Sequence, residues 1–62
     1  MQISNLDLDN LRHLVIGEQV QSEKSRAYAE QVSNPQLKSF LSHRAEQAEQ
    51  NVQKLSQFLN QY

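Results

Sequence analysis

Cysteine and tryptophan are absent from this chain, and glycine and proline occur once each. Without cysteine there is no disulfide and no thiolate metal site. With Gly17 as the sole glycine there is no glycine-rich loop to cradle a phosphate. Six Lys and Arg against seven Asp and Glu give a net charge of −1 without any basic block. Aromatic residues are also few, so nucleic acid is not an expected partner. No apolar run approaches the roughly 18 residues a membrane span needs. The start, Met1-Gln2-Ile3-Ser4-Asn5, has neither the basic nor the apolar region of an export signal. The expected location is therefore cytoplasmic, away from membranes.

The 62 residues make one domain at most, residues 1–62, and a chain this short is marginal without a staple. Since disulfides are excluded, oligomerisation is the remaining means of stabilisation. Gln and Asn are abundant but dispersed, and read as solvated helix faces.

What fills the chain is helix-forming sequence in two stretches of similar length, divided by Ser33-Asn34-Pro35. Asn is a favoured N-cap, Pro is tolerated at the first helical position, and the residue before Pro is pushed to extended backbone. Helix 1 is expected over about residues 5–32, a turn at 33–34, and helix 2 over about residues 35–60. Ser4 and Asp7 have capping-box spacing, with Ile3 and Leu8 placed for a hydrophobic staple.

Stepping about 100° per residue gathers Leu8, Leu11, Leu14, Val15, Ala29 and Val32 on one face of helix 1, with Glu18, Ser22 and Ser25 inside the same face. On helix 2 it gathers Leu37, Phe40, Leu41, Val52, Leu55, Phe58 and Leu59, with Arg44, Ala48 and Asn51 in the middle. Each face thus has apolar ends and a small or polar centre. Antiparallel pairing brings the centres together, Glu18 near the level of Ala48 to Asn51 and the two serines near Arg44. Such a layer is either a hydrogen-bonded plug that fixes register and partner number, or a place where the helices splay. If Arg44 turns inward it needs a carboxylate, from Glu18 or Glu23, within the hairpin or across a dimer interface. Tyr28 is expected at the seam edge, its ring over Phe40. Ile16, Val20 and Ala27 form a second, narrower stripe, either scattered surface aliphatics or a subunit contact.

Chemistry finds little to hold. A ferritin-like di-metal centre needs a Glu from one helix and Glu-x-x-His from the next. Glu18 meets the first requirement and is the one weak metal candidate. Helix 2, however, reads Ala48-Glu49-Gln50-Asn51 at the matching positions, lacking a carboxylate and an imidazole. Glu46 and Glu49 read as a solvated acidic face. His13 and His43 lie apart on helix flanks with no nucleophile beside them. Gly17 interrupts helix 1 at a cost of about 1 kcal/mol relative to alanine, for which the usual reason is close approach of another backbone. No catalytic residue and no cofactor are expected.

With these residues placed, the chain resembles one hairpin of the spore coat protein F family, ferritin-like helical proteins of endospore-forming Firmicutes. The likeness spans Leu11 to Leu59. It rests on Glu18-Gln19, then Lys24-Ser25-Arg26-Ala27-Tyr28-Ala29, then Asn34-Pro35-Gln36-Leu37, with Leu55 and Leu59 closing helix 2. Members of the family are longer, with more than one hairpin, and often carry histidines where this chain has Gln50 and Asn51. That departure argues against metal binding and makes self-association the replacement for a missing hairpin. The resemblance implies a structural role in or around the spore. The expectation is an all-α antiparallel hairpin that dimerises into a four-helix bundle, a non-catalytic assembly protein whose partners are itself and other spore proteins. The alternatives are a degenerate ferritin-like metal protein and an adaptor for a helix of another protein.

Overall fold

A computed structural model describes residues 4–60 as two helices joined by a short connection. Helix α1 runs Asn5–Gln31 and helix α2 runs Pro35–Leu59, and they pack against each other as a hairpin with no strand among the described residues. Both starts are set by local chemistry. The Ser4 hydroxyl accepts from the Asp7 amide at 3.1 Å, while the Ser4 amide donates to the Asp7 carboxylate at 3.4 Å, so the capping box is complete. Ile3, the other half of the expected staple, lies outside the described residues.

At the turn, Val32 is already extended and caps α1, so the connection comprises residues 32–34 and is one residue longer than the spacing suggested. With no glycine there, α1 closes without a left-handed residue, and no described residue has positive φ. Asn34 is extended before Pro35, and its side-chain oxygen accepts from the Leu37 amide at 3.0 Å. Asn34→Ala is expected to cost about 1 kcal/mol, read as a lower urea midpoint at fixed protein concentration. Adding Pro35→Ala removes the remaining stop signal, and small-angle scattering should then show a longer particle.

The residues that turn inward are separated by alternating steps of three and four. They are Leu8, Leu11, Val15, Glu18, Ser22, Ser25 and Ala29 on α1 with its cap Val32, and Leu41, Ala45, Ala48, Val52, Leu55 and Leu59 on α2, each buried or half-buried, with the half-buried Gln21, Ser42 and Ser56 at the edges of the seam. This is the seven-residue repeat of a coiled coil, here with its strands antiparallel. Only small side chains are fully enclosed: Ser22, Ser25 and Ala29 from α1, Ala45 and Ala48 from α2. Small residues at a seam let two helix backbones approach closely. They also bury little apolar surface. The hairpin is a rod of 46 × 14 × 12 Å with a narrow core at its middle.

Candidate functional site

The polar middle of the seam is hydrogen-bonded. Gln21 donates to the Ser25 hydroxyl at 2.9 Å, and the Ser22 hydroxyl donates to Glu49 Oε1 at 3.2 Å. The same oxygen accepts from Arg26 Nε at 2.7 Å, so Ser22, Arg26 and Glu49 cross-link the helices along one flank. Nearer the turn, Lys38 donates to the Ala29 carbonyl at 2.9 Å, where its charge also suits the C-terminal end of the α1 dipole. No buried side-chain polar atom among the described residues is left without a partner.

Glu49 is thus an interhelical partner and not part of a free acidic face. The hydrogen bond from Arg26 holds its carboxyl below the ordinary value, against a smaller opposing effect of desolvation. The hydrogen bond to Glu49 likewise raises the Arg26 guanidinium. Both side chains remain about half exposed, so the pair contributes modestly. Its pH dependence has a definite sign. A carboxyl depressed on folding stabilises above its ordinary pKa of about 4.3, and that stabilisation is lost as pH falls through the lower native value. Arg26 stays protonated throughout. Glu49→Gln should therefore lower the melting temperature slightly at neutral pH, with the difference from wild type vanishing in acid. A difference that persists unchanged at pH 2 would show that the charge is irrelevant.

The opposite flank has a different character. A groove of about 330 Å³ is lined there by Glu18 and Gln21 from α1 and by Phe40, Arg44, Gln47, Ala48 and Asn51 from α2. Residues seven apart share a face in this repeat, so Leu14 and Tyr28 join Gln21, Leu37 joins Arg44, and Phe58 joins Asn51. All five apolar members of this flank are exposed: Leu14 57%, Tyr28 54%, Leu37 45%, Phe40 57% and Phe58 40%. They cluster at the two ends of the flank, and the polar groups occupy its middle.

The inward face expected on each helix therefore divides in two. Leu11, Val15, Glu18, Ser22, Ser25, Ala29, Val32, Leu41, Ala48, Leu55 and Leu59 line the seam, whereas Leu14, Leu37, Phe40, Arg44, Asn51 and Phe58 stand on the open flank. Three adjacent pairs show the division: in Leu14-Val15, Phe40-Leu41 and Phe58-Leu59 the first residue is exposed and the second half-buried against the other helix. Ala45, with no exposed surface, belongs to the seam and was missing from the expected set. Arg44 does not turn inward. It shares the open groove with Glu18, and the ion pairs formed among the described residues are Arg12–Asp9 and Arg26–Glu49. Tyr28 and Phe40 are both exposed, on the same open flank.

Gly17 marks no close approach inside the hairpin, since a Cβ there would meet nothing within 4 Å. Ile16, Val20 and Ala27 are exposed on the remaining surface of α1. Among the described residues no three His, Cys, Asp or Glu side chains converge as metal ligands. No helix described is long and apolar enough to cross a membrane.

These features define an antiparallel two-helix coiled-coil hairpin with one flank closed by polar links and the other open and apolar at both ends. No family model, curated protein or solved structure matches the chain.

Proposed function

We propose that the protein is a non-catalytic assembly element that works by self-association, two hairpins joining through their open flanks to form a four-helix bundle. The observation that carries this reading is the mismatch between what the hairpin encloses and what it leaves exposed. Its fully buried side chains are alanines and serines, while two phenylalanines, a tyrosine and two leucines line one flank. Ordering a residue costs on the order of 1.5 kcal/mol, and a seam of small side chains offers little apolar burial in return. Large hydrophobics gathered on one side of a small domain mark a protein contact. One long face of this rod is comparable with the roughly 800 Å² per partner of a standard interface. A structural role in the spore, which the sequence resemblance implies, is the proposed setting for such assembly.

Light scattering of the purified protein at micromolar concentration should give twice the chain mass, and the melting temperature should rise with concentration. A cooperatively folded monomer would overturn self-association. A poorly folded monomer that becomes helical only with another protein would favour the adaptor instead.

A further inference from the structure

We propose that the two copies dock antiparallel, turn against open end, about a two-fold axis at the Ser22–Ala48 layer, with Glu18 of each copy paired to Arg44 of the other. This inference rests on the self-association reading and adds to it a sense, a register and a recognition pair.

The hydrogen bond from Ser22 to Glu49 sets Ser22 beside the Ala48–Glu49 level of α2, where Ser22 and Ala48 are both buried. From that layer Glu18 lies four residues along α1 toward the open end, and Arg44 lies four residues along α2 toward the turn. Each is displaced by about 6 Å at a helical rise of 1.5 Å per residue. A two-fold axis through the layer, lying in the plane of the flank and across the helices, exchanges the two levels. Each carboxylate is then level with a guanidinium of the other copy, on the diagonally opposite helix of the bundle.

The apolar ends obey the same operation. Leu37 and Phe58 stand eleven and ten residues from Ala48 in opposite directions, and Leu14 and Tyr28 stand eight and six residues from Ser22. The rotation therefore sets Leu37 against the level of Phe58 and Tyr28 against that of Leu14. Gln21 and Gln47, close to the axis, meet their own copies. Such self-complementarity is what an isologous interface requires. Turn-to-turn docking would instead bring Glu18 level with Glu18 and Arg44 level with Arg44, placing like charges together. The other flank offers no equivalent, because Arg26 and Glu49 already satisfy each other within one chain.

Charge reversal tests the pairing. Glu18→Arg and Arg44→Glu, each alone, set like charges against one another in the homodimer and should weaken self-association by about a hundredfold. Mixing the two variants should restore a dimer near wild-type affinity, since the mixed pair regains both opposite-charge contacts. An intramolecular pairing would give no such rescue on mixing. A second measurement does not depend on these charges. The chain has no cysteine, so Leu37→Cys and Phe58→Cys variants, mixed and oxidised, should form a disulfide between unlike copies. In turn-to-turn docking these two positions stand about 30 Å apart along the rod, and Leu37→Cys would instead link to itself. A wild-type dimer with no rescue on mixing, or with self-linked Leu37→Cys, overturns the antiparallel pairing and leaves self-association standing. A wild-type protein that remains a folded monomer overturns both.

Discussion

Replacing Ala45 with leucine is expected to force the two helices apart and destabilise the fold by about 3 kcal/mol. Ala45 has no exposed surface, and the residues enclosed with it at the middle of the seam are Ala48, Ser22 and Ser25. None of these can rotate away to make room, because Ser22 and Ser25 are held by hydrogen bonds to Glu49 and Gln21. The added carbons must therefore be accommodated by separating the backbones. That separation would also lengthen the hydrogen bonds of the Ser22, Arg26 and Glu49 cross-link, so the cost extends beyond one contact. Ala27→Leu is the control, since Ala27 is exposed and such a change is normally within about 0.5 kcal/mol. Urea titration at one fixed protein concentration reads the difference. Equal midpoints for the two variants would mean that the small-residue seam does not set the helix separation.

Ala45 is buried at a position that no strong hydropathic signal marks. The hairpin itself was legible because its determinants are local: Ser4 with Asp7 at one helix start, Asn34 with Pro35 at the other, each a matter of a few adjacent residues. The seam depends on rotation accumulated along 27 and 25 residues, and stepping by 100° drifts from the seven-residue repeat by about 20° each heptad. Large apolar side chains are also more numerous than the seam needs. Where two stand together, as in Phe40-Leu41 and Phe58-Leu59, hydropathy alone assigns both inward, and the structure turns one of each pair to the flank.

Alanine gives too weak a hydropathic signal to correct that assignment. The Arg26–Glu49 link was hidden for a related reason, since it depends on the register between helices and on no spacing within either. A sequence signal for it does exist. Once Ser22 and Ala48 are set opposite, the residues flanking the seam on that side include Arg26 and Glu49, of opposite charge. The polar centre between apolar ends was visible from the start, but its division between the seam, which keeps Glu18, Ser22 and Ser25, and the open flank, which takes Arg44 and Asn51, required the seam to be fixed first.

The sharpest consequence of that open flank is expected from Phe40→Ser combined with Phe58→Ser. Both rings are exposed in the isolated hairpin, 57% and 40%, so in a monomer their removal should leave stability nearly unchanged. In a dimer joined through the flank the outcome differs. Fully burying a phenylalanine contributes about 1.5–3 kcal/mol, of which roughly half remains to be gained at each of these half-exposed rings, and a symmetric dimer loses four of them. Association should fail at micromolar concentration. Because the seam alone encloses little more than alanine and serine, helicity by circular dichroism should fall together with the mass measured by light scattering. Ile16→Ser with Val20→Ser removes comparable exposed aliphatics from another face of α1 and should change neither reading. The two double variants thus compare apolar surface with apolar surface and differ only in which face carries it. If both lose association, the contact extends around α1 and the flank is not its sole seat. If the phenylalanine variant remains a helical dimer, the flank is not the contact at all.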